Sequence, residues 1–453
     1  MITRTTLRVA LLMAALCLLG SACSASAPEP LPRREVAPDA VIDPARPCIR
    51  EAPVAVPSAQ AEPAGQAAAG GLGATFDPGT NKIVLSAGQG ITLPALSQAI
   101  DDPRAVREVA PGEWLLGATI DILPGASLRV RAPEVRWLML SSSPAGFASI
   151  KALGGGLDIA GACVTSWDLT QGRVDTEHLD GRSFLLARNG GQLTIDHAEV
   201  RYLGYGEVEA YGMSWRVQGT SGHITNSIVS HLFYGLYTFD ISGLVVQDNE
   251  FHDNVLYGVD PHTDSHHLLI ERNIVHDNGK HGIILAEDCT DSVIRDNIVY
   301  RNEHHGIVLY LNSDRNLVEG NETFANAATG ININQSAGNT VRGNRSYDNT
   351  ESGIGVSQTA QDNIVENNQI RGNQQDGVRL VSEAGHTTLR DNIIGENARY
   401  GVYIDSTNPY ELTGNTIFSN RTGIMFKNRT TAPPTDNQVF ANDKTDIANT
   451  ESR

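Results

Sequence analysis

Asparagines recur in pairs five residues apart, and the pairs themselves recur every 22 to 24 residues: Asn249/Asn254, Asn273/Asn278, Asn297/Asn302, Asn321/Asn326, Asn344/Asn349, Asn368/Asn373, Asn392/Asn397, Asn415/Asn420 and Asn437/Asn442. A chain that repeats one short unit buries its apolar face only by stacking the units, so the period points to a solenoid. Each pair but the last is followed by a glycine and an aliphatic residue, as in Gly258-Val259, Gly282-Ile283, Gly306-Ile307 and Gly330-Ile331. Leucine-rich repeats and the right-handed parallel β-helix both have periods in this range. The leucine-rich signature is absent, and segments such as GIGVSQ and NIVEN read as short strands between Gly and Asn turns. The repeat therefore predicts an all-β, right-handed parallel β-helix over residues 74–440, followed by a tail at 441–453. Stacked asparagines in successive coils can bond one another along the axis, which accounts for nearly all of them.

Strand alternation sorts the side chains after each glycine. Positions one and three residues on are aliphatic and face the core, as in Ile283/Leu285 and Ile307/Leu309. Positions two and four residues on face out, and they include Ser214/Arg216, Tyr237/Phe239, Asp260/His262, Val308/Tyr310 and Asn332/Asn334. In-register coils make this a ladder of polar and aromatic groups about 4.8 Å apart. It has the chemistry of a groove for a long sugar chain.

Totals narrow the partners. With 52 acidic against 34 basic residues, the net charge of −18 argues against nucleic acid, which needs a basic face. Arg4 and Arg8, the run VALLMAALCLL and Cys23 have the order of an export signal, and LLGSAC resembles a bacterial lipoprotein site that would be lipidated at Cys23. Residues 1–23 are thus read as a leader, and the Ala-, Pro- and Gly-rich residues 24–73 as a disordered tether to a membrane. The expected location is the cell envelope, and the expected state a monomer. Beyond Cys23 only Cys48, Cys163 and Cys289 remain, allowing at most one disulfide among them and no CxxC metal pair. LPALSQAIDDPRAVREV has helical spacing and is expected to form one short helix capping the solenoid.

Chemistry concentrates in YGVDPHTDSHH, where Pro261 interrupts a strand between Asp260 and His262. Proline gives no ladder hydrogen bond and fixes φ, so it stiffens the strand and can hold the two flanking side chains toward the groove. An aspartate beside a histidine can fix its tautomer and raise its basicity, which makes His262 a candidate general base. His266, His267, His276, His281, His304 and His305 are read as a polar surface in turns or on other faces.

The segment LYGVDPHTDSHHLLIERNIVHDNGKHGII is similar to the Asp-Pro-His-Asp region of bacterial periplasmic mannuronan C5-epimerases, with support from VAPGEWLLGA, VTSWD, GRSFLLARNGG and LGYGEVEAYGMSW. That resemblance implies a β-helix enzyme converting β-D-mannuronate to α-L-guluronate within alginate, with no obligatory cofactor. His262 would remove the C5 proton, with Asp260 in the matching aspartate place. The chain departs from the pattern twice: Thr263 replaces the last aspartate of the motif, and Glu287 stands where the family presents an arginine that neutralises the substrate carboxylate. Arg216 in the same column, roughly 10 Å away along the axis, is one substitute. A Ca²⁺ ion held by Asp240, Glu287 and Asp288, near Asp260, is another. Tyr237, Tyr257 and Tyr310 are candidate proton donors or substrate contacts, and Asn332 and Asn334 further contacts. A polyuronate lyase shares the fold and the first step. A non-catalytic glycan-binding solenoid is the reading that Glu287 favours.

Overall fold

The computed structural model describes residues 32–35, 43, 47–48, 72–427 and 436–450. The chain divides into two compact units, residues 1–39 and 40–453. Of the first, residues 32–35 are described and run without helix or strand. The expected leader, Cys23 and most of the tether lie outside the described residues. The second unit is a right-handed parallel β-solenoid of about 14 turns with one short helix.

Each regular coil carries three strands, for example Val259–His262, Leu269–Glu271 and Ile274–His276, followed by Ile283–Ala286, Val293–Arg295 and Ile298–Tyr300. Every strand pairs in parallel with its equivalent one coil on. The register keeps Leu236 beside Val259, Tyr237 beside Asp260 and Phe239 beside His262, and then Ile307 beside Ile331 and Tyr310 beside Asn334. Columns of like side chains follow from this. The inward positions Ile283, Leu285, Ile307, Leu309, Ile331 and Ile333 are fully buried in one continuous core. Between Val259–His262 and Ile283–Ala286 the pairing reduces to Val259 with Ile283 and His262 with Ala286, the gap falling at Asp260 and Pro261. Proline has no N–H to give the ladder there.

The corners are held by the predicted asparagine ladders. Asn273 donates from Nδ2 to Asn297 Oδ1 at 2.9 Å, and Asn297 donates likewise to Asn321 at 2.9 Å. The second ladder runs Asn254, Asn278, Asn302 and Asn326 at 2.8–3.0 Å. Each amide also takes up a backbone carbonyl of the preceding coil, as Asn297 does with Ile270 O. Buried corner groups that water cannot reach are thereby satisfied. Glycine follows the second ladder because the chain there passes close to the next coil: a Cβ on Gly282 would stand 2.4 Å from Val299 and 2.8 Å from Asn302.

The helix is shorter than the sequence pattern suggests. It spans Leu93–Ile100, with Thr92 as its cap and Pro94 in its first turn, and it buries Leu93 and Leu96 in the solenoid core. Asp101 turns to the left-handed region with φ of 52°, Pro103 disfavours helix at Asp102, and the Asp102 carboxylate accepts from the Arg104 N–H at 2.9 Å. The remainder of the expected helix becomes the strand Val106–Ala110, antiparallel to Glu113–Leu116. At the other end, Thr445–Thr450 adds a strand beside Thr422–Lys427, so the region expected to be a tail still carries regular structure. A disulfide joins Cys48 to Cys163, and Cys289 is a buried free thiol.

Candidate active site

The strand Val259–His262 crosses the floor of a groove of about 350 Å³ lined by Tyr257, Asp260, His262, Lys280, His281, Ile284, Ala286, His304, His305, Val308, Tyr310, Asn332 and Asn334. Register delivers Asp260, His262, Ile284, Ala286, Val308, Tyr310, Asn332 and Asn334 to this grouping, since residues two and four past each glycine stack from coil to coil. Six residues singled out in the sequence, Tyr257, Asp260, His262, Tyr310, Asn332 and Asn334, meet here. Ile284, Ala286 and Val308 form a small apolar patch beside Tyr257. Such a surface suits the flat apolar face of a sugar ring.

His262 is held in one tautomer by partners that the sequence did not suggest. Its Nδ1 lies 2.7 Å from Thr263 Oγ1, and that hydroxyl donates to Glu287 Oε2 at 3.1 Å. The hydroxyl has one proton and spends it on Glu287, so toward the imidazole it accepts. Nδ1 therefore carries the ring proton and Nε2 keeps its lone pair. Burial pushes the His262 pKa below the usual 6.5, while Glu287 pulls it back up and Arg216 adds to the lowering. At neutral pH the ring is an uncharged base. The two departures from the family pattern are thus one device: the glutamate replacing arginine bonds the threonine replacing aspartate.

Asp260 does not orient His262, contrary to expectation. Its side chain is buried, with 1% exposed, and neither carboxyl oxygen has a hydrogen-bond partner. Burial raises its pKa well above the usual carboxylate range, opposed by Lys280 and assisted by Glu287. Burial without a partner disfavours the charged carboxylate and leaves both oxygens of Asp260 open to a group that enters the groove.

Behind His262 stand the remaining predicted residues. Tyr237 stacks on the imidazole with ring centres 5.6 Å apart, and burial raises its phenol pKa. Arg216 lies over Tyr237 at 4.9 Å and over Phe239 at 5.1 Å, is itself 7% exposed, and does not line the groove. Both residues back the site and do not touch its space. The acids proposed to hold calcium do not converge: among the described residues no group of three His, Cys, Asp or Glu side chains is placed to hold a metal ion. Asp240, Glu287 and Asp288 occupy left-handed corner positions instead, with φ of 51°, 59° and 62°.

The opposite lip was missed. Tyr257 stacks on His281 at 5.4 Å and His281 on His305 at 5.2 Å, one ring per coil. His281 Nδ1 accepts the His305 N–H at 3.3 Å and His305 Nδ1 accepts the Thr329 N–H at 3.0 Å, which leaves each Nε2 as the protonated nitrogen. Burial above all, with neighbouring His304 adding to it, drops their pKa values to about 2 and about 3, so both are neutral donors. Lys280 Nζ donates to Tyr257 Oη at 2.8 Å on the same lip. These residues lie just before the glycine, in turns where period-two alternation says nothing. The column Tyr257, His281, His305 at the fixed period was the available signal.

A groove laid on a parallel coil stack defines the class. The family model described as right handed beta helix region matches residues 183–326 and 308–440, more than half the chain, and the chain belongs to that family. Within it, the chain is similar to the mannuronan C5-epimerase of Pseudomonas aeruginosa, 32% identical over 179 residues that cover 36% of this chain and 32% of the relative. It is similar also to the mannuronan C5-epimerase AlgG of Azotobacter vinelandii, 30% identical over 176 residues, 36% of this chain and 33% of the relative. The matched stretch spans about a third of the length of these curated relatives. The crystal structure of the periplasmic alginate epimerase AlgG superposes with a TM-score of 0.69 at 25% identity, covering 75% of this chain and 85% of that one. The resemblance first read from the Asp260-Pro261-His262 segment is thus to the family these proteins represent.

Proposed function

We propose that this chain is a polyuronate C5-epimerase that converts β-D-mannuronate to α-L-guluronate within polymeric alginate. The reading is supported by one observation above others: a histidine with its Nε2 lone pair free and a phenol line a single groove, His262 from the end of the strand Val259–His262 and Tyr257 from the turn before it. Inversion at C5 requires a proton to leave one face and return to the other. His262 Nε2 takes the C5 proton, and the electron pair passes into the carboxylate as an enediolate. Tyr257 O–H then delivers a proton to the opposite face as the pair returns to C5. Lys280 fills an acceptor lone pair of the phenol oxygen, which turns the hydroxyl proton into the groove. The proton on His262 passes to solvent, and the phenolate recovers one from it.

Tyr310, Asn332 and Asn334 continue the groove over following coils and bind neighbouring sugars in this reading, while Asp260, whose carboxyl oxygens have no other partner, contacts the reacting one. No cofactor is invoked. By analogy with AlgG, named as periplasmic, the chain acts in the cell envelope, tethered through a lipidated Cys23 and working as a monomer.

The test is proton NMR of polymannuronate incubated with the full chain in D₂O. Guluronate signals with deuterium at C5 support the proposal. Unsaturated chain ends absorbing in the ultraviolet would indicate loss of the O4 substituent and a lyase. Binding with neither change would leave a glycan-binding solenoid.

A further inference from the structure

Lys280 enters the groove from the turn between Ile274–His276 and Ile283–Ala286. Its backbone is fixed by two coil-to-coil bonds, Lys280 N–H to Leu256 O at 2.7 Å and His304 N–H to Lys280 O at 2.9 Å. Among the described residues that line the groove it is the one lysine or arginine. Its ammonium donates to Tyr257 Oη and lies 5.0 Å over the same ring.

The charge around it is unusual for this chain. Arg272, Arg295, Arg301, Arg315 and Arg342 on the outer edges each meet a carboxylate within 2.9 Å. With 52 acidic groups for 34 basic ones, carboxylates are plentiful. Lys280 nevertheless makes no ion pair among the described residues. The neighbouring Asp260 carboxyl has its pKa raised by burial, an effect that Lys280 opposes. A cation that faces an open groove and makes no ion pair there is a site for an anion supplied from outside.

We infer that Lys280 receives the carboxylate of the uronate being epimerised, a role that Glu287 cannot play and that Arg216, buried beneath two rings, does not reach. This rests on the epimerase reading. One of the three N–H groups is engaged by Tyr257, and two remain for the carboxylate oxygens. The carboxylate so held points away from Glu287 on the far lip. As His262 takes the C5 proton, charge collects on the two oxygens beside the ammonium, and it returns to C5 when the Tyr257 proton arrives. The lysine stays protonated throughout.

The experiment follows deuterium entry at C5 of polymannuronate for the full-length wild type, Lys280→Ala and Lys280→Arg, with thermal melting to verify folding. Lys280→Ala is expected to lose about 10²- to 10³-fold in kcat, and Lys280→Arg to stay within about tenfold of wild type. Ethylammonium chloride is expected to restore the alanine variant saturably, at an ionic strength where sodium chloride does not. A folded Lys280→Ala within about threefold of wild type overturns the assignment and leaves the epimerase reading standing. So does an arginine variant as inactive as alanine with no amine rescue, since the lysine would then act only by holding Tyr257. A wild type without exchange or guluronate overturns the epimerase reading itself, and this assignment with it.

Discussion

At the scale of single residues, the site depends on a histidine whose neutrality comes from burial and whose tautomer comes from a borrowed pair. His262→Gln is expected to abolish C5 exchange, a loss of about 10³-fold or more by the same deuterium assay. For the wild type, kcat/KM should rise with pH and level off with an apparent pKa below 6.5, because burial disfavours the imidazolium. Glu287→Gln removes the negative charge that favours the imidazolium, so this limb should move to lower pH while the plateau falls. Asp260 carries a separate prediction. A carboxyl whose pKa is raised on folding contributes stability below its unfolded value, about 3.9, and loses it as pH climbs toward the raised value. Asp260→Asn stays uncharged, so its melting temperature relative to wild type should increase steadily from about pH 4 upward. A constant difference would mean that Asp260 is ionised in the folded protein.

At the scale of the element, a coil is specified twice, by its inward aliphatics and by its corner amides. Asn297→Ala removes the acceptor of the Asn273 N–H and side-chain amide, and the donor to Ile270 O and to Asn321 Oδ1, at once. It should cost about 3 kcal/mol in denaturant unfolding. Asn437, last in its ladder and partly exposed, accepts from Asn415 and donates to Leu412 O, and its loss should cost less than half as much. The same regularity explains what was legible beforehand. The glycine-based register placed Asp260, His262, Tyr310, Asn332 and Asn334 on one face because strand alternation is strict. It could not place Lys280 or His281, whose turn has no alternation to count. Nor could it foresee that Asp260 and His262, two residues apart, ignore one another while His262 reaches Glu287 one coil on. The capping helix is shorter than its apolar spacing because Asp101 in the left-handed region and Pro103 end it at Ile100.

For the whole molecule, stacking makes stability a sum over neighbours, and the Cys48–Cys163 disulfide is the described covalent link outside that sum. It spans 115 residues, and opening it with dithiothreitol should lower stability by up to about 4 kcal/mol. Epimerase turnover measured well below the melting temperature should be unaffected, since Cys163 pairs with strands well ahead of the coil that carries His262. An active protein that dies on mild reduction would show that the link shapes the groove. The coil rise of about 4.8 Å is comparable to the length of one sugar unit in an extended polymer. On the proposed reading, a polymer laid along the axis would set one sugar unit against each coil, so that a shift by one unit would carry every ring to the level of the next coil and bring the next ring to His262.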